Sequence, residues 1–379
     1  MFRYLISSGI ALLMFCVVNA QTKSAEDYYA DGKDLKDNGK CEDAIVDFKK
    51  AIALKPDYAD ALFAAGWCSN ELEKYSDAIG YLEKAKVQWP HVAKVYLELG
   101  FAEQYSDRID DAVESYNKVL ELDDTYYLAY RYLGNVYCNS KFDYQKALDY
   151  YKKYEQNETD IDEVILYNMG FCENELEDYD NAIPYLKKAL DKKSDDGNAY
   201  YELGWAYYSK DNSDADAAIE NFNKAKSYLP ESNLPYLGLG DVYKDLKGDA
   251  DLALSNFKKS LELNPKSKVS NYGIGWSYND KEEYDAAVPY LKQALELDDQ
   301  YTSAMTELGY SYYKLKKLDD AVSILKKSKT LRSSNLSLYY LGLCYVELGQ
   351  KGNAREVYDD MKEKSYKNAD DLLAKINNM

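Results

Sequence analysis

Ten glycines, Gly32, Gly66, Gly100, Gly134, Gly170, Gly204, Gly240, Gly275, Gly309 and Gly342, recur at intervals of 33 to 36 residues. Twelve to fourteen residues after each stands an alanine: Ala44, Ala78, Ala112, Ala147, Ala182, Ala218, Ala253, Ala287, Ala321 and Ala354. A fixed period of this length marks a chain built from stacked copies of one small unit. Two small residues per unit let two elements approach closely.

The pattern inside each period predicts two helices. In the first unit, apolar residues fall at helical spacing on either side of a polar turn, and Ala44, Phe48 and Ala51 lead to Pro56. The series returns as Ala218, Phe222, Ala225, Pro230 and as Ala253, Phe257, Ser260, Pro265, so each proline closes a second helix. Ser76, Asp110, Asp180 and Asp319 are expected just before second helices, where a short oxygen-bearing side chain caps free amides.

These residues make the chain resemble a tetratricopeptide repeat (TPR) protein. The family pattern is an aromatic or Leu at position 4, Leu at 7, Gly or Ala at 8, Tyr at 11, Ala at 20, an aromatic or Leu at 24, Ala at 27 and Pro at 32. Tyr200, Leu203, Gly204, Tyr207, Ala218, Phe222, Ala225 and Pro230 meet it one by one, the second half displaced by two inserted residues. Ten repeats are expected, starting near residues 25, 59, 93, 127, 163, 197, 233, 268, 302 and 335, within a repeat region spanning 21–366. Departures are local: Asp31 replaces Leu, Asp124 and Asp299 replace Pro, and insertions fall near Phe142, Asp214 and Gly248. The resemblance implies an all-α fold, a right-handed superhelical α-solenoid. Residues 367–379 place Leu372, Leu373 and Ile376 on one helical face, as a capping helix that covers the end of the stack would.

The N-terminus reads as an address. Arg3 precedes an apolar run from Leu5 to Val18, and a small residue, Ala20, stands before Gln21, so residues 1–20 are expected to be a signal peptide cleaved near Ala20. The alternative is an uncleaved anchor, although the run is shorter than the roughly 20 residues that span a bilayer. Lipidation at Cys16 is disfavoured by the bulky Phe15 before it. The protein is therefore expected in a periplasmic or extracellular space, with no transmembrane span after cleavage.

Composition narrows the partners. With 66 acidic against 47 basic residues the net charge is −19, and no basic cluster relieves it, so nucleic acid is not an expected partner. Catalytic chemistry has little to work with. His91 is the only histidine, no Ser or Cys motif marks a nucleophile, and no enzyme activity, cofactor or metal is expected. The stretch from Asp211 resembles a calcium loop superficially, but lacks the glycine at its sixth position and the glutamate at its twelfth. Cys41, Cys68, Cys138, Cys172 and Cys344 are odd in number and scattered; Cys68, Cys172 and Cys344 share position 10. They are expected as buried, inert thiols.

The family's first helices line a concave groove, whose positions 2, 5, 9, 12 and 13 tend to meet the ligand. Positions 5 and 9 here hold Phe63 and Trp67, Tyr167 and Phe171, Tyr201 and Trp205, and Tyr272 and Trp276. Phe101 and Tyr310 at position 9, with Tyr208 and Tyr313 at position 12, extend the series. Either neighbouring helices stack these rings, or the rings form a peptide groove. Asn70, Asn174 and Asn279, all at position 12, offer amides either to an extended ligand or to solvent. Arg131, Asn135 and Asn168 match three positions of a carboxylate clamp found in some members, but Glu202 replaces a base there and would repel a carboxylate. Two functions follow as expectations: a scaffold binding another protein or peptide in the aromatic groove, assembling an envelope or secretion complex, and alternatively a glycan-binding module using the same rings.

Overall fold

In a computed structural model, residues 23–332 and 334–379 are described, and every regular element among them is helical. The expected signal peptide lies outside the described residues. The chain divides into two units at Lys141 and Phe142. The first holds α1 (Ala25–Asp37), α2 (Cys41–Leu54), α3 (Ala59–Glu71), α4 (Tyr75–Gln88), α5 (Ala93–Tyr105), α6 (Ile109–Leu122) and α7 (Tyr127–Asn139). The second holds α8 (Tyr144–Glu155), α9 (Glu163–Glu175), α10 (Tyr179–Lys192), α11 (Gly197–Ser209), α12 (Ala215–Tyr228), α13 (Leu234–Val242), α14 (Ala250–Leu263), α15 (Lys268–Asp280), α16 (Tyr284–Leu297), α17 (Thr302–Lys314), α18 (Leu318–Arg332), α19 (Asn335–Glu347), α20 (Lys351–Glu363) and α21 (Ala369–Asn377).

The turn inside most helix pairs is built one way. After α3, Glu73 adopts φ 56°, the Lys74 N–H donates to the Ser69 carbonyl at 2.8 Å, and the Glu73 N–H donates to that of Asn70 at 2.9 Å. This left-handed closure satisfies carbonyls that the helix end would leave bare. Gly39, Asp107, Glu177, Glu282, Lys316 and Gly349 take the same place. Inserted residues stretch the closure without opening it: the Asp214 N–H reaches back to the Tyr207 carbonyl at 2.9 Å. Near Gly248 the extra residue is taken up by a π-helical turn over Tyr243–Lys247 that continues α13.

The expected caps are corrected. Ser76, Asp110, Asp180 and Asp319 are each the second residue of α4, α6, α10 and α18, inside the helix rather than before it. There the three aspartates set negative charge against the positive end of the helix dipole. Capping is done by Asp143, Asp178, Asp214 and Asp249, whose carboxylates accept from amides in the first turns of α8, α10, α12 and α14.

The periodic residues form the core. All ten alanines of the series are fully buried. So are the bulky residues four places later, Phe48, Leu82, Tyr116, Tyr151, Leu186, Phe222, Phe257, Leu291 and Leu325. The glycines exist for this contact: a Cβ on Gly66 would lie 2.5 Å from Leu82 Cγ. At the C-terminal end α21 buries Leu372 and Ile376 against α19 and α20, with Leu372 over Gly342.

Successive first helices touch, α1 with α3, α3 with α5 and α5 with α7 in the first unit, and α9 through α19 likewise in the second. Among the described residues, successive second helices lie farther apart, linked at α18 and α20 by the Lys329–Asp360 ion pair. In each unit the first helices therefore crowd together on the inner side, and it is their inner face that carries the candidate site.

Candidate functional site

The position-12 asparagines do not face solvent. Asn70, Asn174 and Asn279 are 5%, 5% and 3% exposed. Each amide nitrogen donates to the residue 28 places on: Asn70 to the Glu98 carbonyl and carboxylate, both at 3.0 Å, Asn174 to those of Glu202 at 3.0 and 2.9 Å, and Asn279 to those of Glu307 at 3.1 and 2.8 Å. Both amide hydrogens are thereby used inside the protein, and the expected role of Asn174 and Asn279 as donors to a ligand main chain is corrected. They tie one first helix to the next. Burial raises the carboxyl pKa of all three glutamates, that of Glu202 to about 7.

Several rings are also committed to neighbours. Phe101, Phe171 and Tyr310 at position 9 each receive, edge to face, the tyrosine that opens the preceding second helix: Tyr75, Tyr144 and Tyr284, at 6.2, 5.8 and 5.7 Å. Phe101 also meets Tyr132 at 5.9 Å and Tyr310 meets Tyr340 at 4.8 Å. Tyr167 stacks on Phe171 at 6.3 Å, Tyr201 leans on Phe222 at 5.8 Å, and Tyr272 lies 5.3 Å from Tyr301. The Tyr208 hydroxyl donates to Asp245 at 2.7 Å, and Tyr313 shares a hydrogen bond with Glu347. Trp205 packs 5.3 Å from Tyr208, while Trp276, Arg131 and Asn135 are half-buried. For most of the series, stacking between helices accounts for the rings.

The first unit differs. A cleft of about 440 Å3 opens between α1 and α3, with walls of Tyr29, Phe63, Trp67 and Trp89 and a rim of Lys33, Lys36, Lys94 and Asp60. The Lys36 ammonium sits 4.7 Å above the Trp67 ring, and that of Lys94 sits 4.9 Å above Phe63. Trp89 closes the far wall, 6.2 Å from Phe63. Lys33 and Lys36 share Asp37, at 2.6 and 3.1 Å. Three cations around apolar rings make a local exception on a chain of net charge −19. The arrangement suits a ligand that brings a carboxylate and an apolar group together.

Sequence reasoning named Phe63 and Trp67 but missed Tyr29, the three lysines and Trp89. Tyr29, Lys33 and Lys36 hold positions 5, 9 and 12 of the first repeat, and Lys94 holds position 2 of the third, all groove positions. A lysine at such a position is as much a signal as a ring or an amide. Trp89 carries no positional mark, because it is the residue that caps the C-terminus of α4.

In the second unit, Asp241 and Lys244 hold positions 9 and 12, where other repeats place rings or amides. They form a nearly buried pair at 3.2 Å, their side chains 14% and 12% exposed, and Lys244 lies 5.5 Å from the Tyr272 ring centre. This is a closed electrostatic cluster. A larger cavity of about 710 Å3 lies on the second-helix side, among charged residues that include Glu83, Arg108 and Glu121. Its one buried acid, Glu103, is already satisfied by the Ser115 hydroxyl at 2.7 Å.

Family models described as tetratricopeptide repeat match residues 29–93, 175–233 and 237–302, and further ones match 93–126, 278–329 and 336–369. The fold is similar to that in the Cut9–Hcn1 hetero-tetramer of the APC/C, at 15% identity over 94% of this chain and 90% of that one, with a TM-score of 0.50. It is similar to a tetratricopeptide repeat protein from Parabacteroides merdae, at 17% identity over 66% and 98% with a TM-score of 0.51. The C-terminal part of a TPR repeat-containing protein from Cytophaga hutchinsonii gives 20% identity over 65% and 99% with a TM-score of 0.50. No curated protein matches the chain.

Proposed function

We propose that this chain, which belongs to the tetratricopeptide repeat family, is a non-enzymatic scaffold that holds a partner protein by an acidic, partly apolar segment lodged between α1 and α3. The observation that carries this reading is the cleft in which Trp67 and Phe63 lie beneath the ammonium groups of Lys36 and Lys94. A segment pairing Asp, Glu or a terminal carboxylate with a bulky apolar side chain would bury the latter among the rings and set the former against the lysines. A glycan is the weaker candidate, because sugars stack on open ring faces and those of Trp67 and Phe63 each carry a cation. The net charge of −19 disfavours nucleic acid.

We place this scaffold outside the cytoplasm, in the periplasm or at the cell surface, on the strength of the apolar run from Leu5 to Val18 and the small residue Ala20 before Gln21. No helix of the described residues is long and apolar enough to cross a membrane. The N-terminus of protein recovered from cells tests the placement: Gln21 supports it, and an earlier residue overturns it.

The binding reading is tested by crosslinking in the native cell, followed by titration of the captured partner's acidic segments against Trp fluorescence of the purified protein. Lys36→Glu with Lys94→Glu is expected to weaken binding by at least tenfold and to leave the helical circular dichroism unchanged. Capture and affinity that survive both this double variant and Trp67→Ala refute the cleft.

A further inference from the structure

All five described cysteines are buried, but two of them are not isolated. Cys41, the first residue of α2, and Cys68, in α3, lie 27 residues apart in sequence with their sulfurs 2.6 Å apart. Unbonded heavy atoms rest at roughly 3.5–4 Å, whereas a disulfide bond is about 2.05 Å long. The fold thus brings the two sulfurs within reach of a disulfide bond. Their scatter in sequence concealed this, since position 17 of one repeat and position 10 of the next meet only when the repeats stack.

We propose that Cys41 and Cys68 form a disulfide that staples the first helix pair to the second. The reaction joins the two sulfurs and releases two protons and two electrons. A disulfide oxidant, such as glutathione disulfide or an oxidised dithiol protein, takes them up and is reduced to two thiols. Cys41, 7% exposed against 0% for Cys68, is the sulfur an oxidant reaches first. It forms the mixed disulfide, and Cys68 displaces the oxidant's thiol. Burial pushes the Cys68 thiol up, so closure is slow and proceeds when the α2–α3 contact loosens.

The position of the staple gives it a use. The first repeat of a stack has a neighbour on one side only and frays most readily. Here α1, packed on α2, carries Tyr29, Lys33 and Lys36, while α3 carries Phe63 and Trp67. The bond ties α2, against which the α1 wall packs, to the α3 wall of the cleft. It rests on the sulfur geometry alone and stands whether or not the cleft binds a partner.

The test incubates the purified full-length protein in glutathione buffers from reducing to oxidising, blocks remaining thiols under denaturing conditions, and maps peptides by mass spectrometry. Under oxidising buffer a peptide joining Cys41 to Cys68, two hydrogens lighter than the separate thiols, is expected. Hydrogen exchange of α2 amides, and of the α1 amides packed on them, should slow by up to roughly several hundredfold, the effect of closing a loop of this length. Cys41→Ser and Cys68→Ser should each abolish the slowing, and Cys344→Ser should keep it. The exchange comparison of wild-type protein with and without reductant needs no variant to fold. Free thiols at both positions in oxidising buffer, or a bond from either to another cysteine, overturn the proposal.

Discussion

The Ser311 hydroxyl lies 2.7 Å from the side-chain carbonyl of Asn279, completing a set of bonds whose donors Asn279 already gives to Glu307. The same asparagine–glutamate tie recurs at Asn70 and Asn174, but the residues corresponding to Ser311 are Ala102 and Ala206. There the buried Asn70 and Asn174 Oδ1 atoms have no partner. Ala206→Ser is expected to stabilise the repeats around α9 and α11 by about 1 kcal/mol, the net value of a hydrogen bond made to a buried acceptor. Ser311→Ala should lose about as much. Urea unfolding combined with hydrogen exchange of the two helices reads the change, and destabilisation by Ala206→Ser would show that the hydroxyl finds no room beside Asn174.

The position-9 rings separate packing from binding. Phe171 stands edge-on to Tyr144 and is stacked on Tyr167. Phe171→Ala should therefore cost about 2 kcal/mol of stability, less than a fully buried ring because Phe171 is half-buried, and leave partner affinity unchanged. Trp67→Ala, at an equally half-buried ring, should cost a comparable stability and lower the affinity as well. A partner that responds equally to both would place the groove across the whole ring series.

How far the sequence carries depends on whether a feature is decided inside one repeat or between two. The helix pairs are legible because Gly66 and Leu82 belong to one repeat and their contact forces the spacing. The caps are misread because the turn closure at Lys74, which the local sequence does not mark, starts the helix at Tyr75 and so carries Ser76 inside it. Asn174 is misread because its partner, Glu202, lies in the next repeat. The Asn-to-Glu spacing of 28 residues is written three times in the chain, yet nothing in it says that the two side chains meet until the first helices are known to touch. The lysines of the cleft occupy groove positions and were readable; Trp89 was not, since it turns inward from a helix end.

The close approach at Gly66 yields a prediction about coupling. Gly66→Ala sets a methyl group 2.5 Å from Leu82 Cγ and should cost about 1–3 kcal/mol through overpacking. Leu82→Ala removes a fully buried side chain and should cost about 2–5 kcal/mol. The double variant should be more stable than the sum of the two allows, because the truncated Leu82 leaves space for the new methyl. Strict additivity in urea unfolding would mean that the backbone shifts to admit the added methyl without pressing on Leu82.

Glu202 makes stability depend on pH in a definite direction. Its carboxyl pKa is raised to about 7 in the folded protein by burial beside Asn174, against about 4.3 in the unfolded chain. Between these values the folded state holds a proton that the unfolded state releases, so the contribution is fully present below about pH 4 and is lost as pH rises through 7. Glu98 and Glu307, whose pKa values are also raised, push the same way. Wild-type protein should thus be less stable at about pH 8 than at about pH 5. Glu202→Gln keeps an oxygen acceptor for Asn174 and cannot titrate, so its stability should fall less over that range, the difference being on the order of 1–3 kcal/mol. Urea midpoints of the two proteins, measured at unit steps across that range, read the difference. Parallel curves would mean that Glu202 is already ionised at the acid end and that its tie to Asn174 is a charged one throughout.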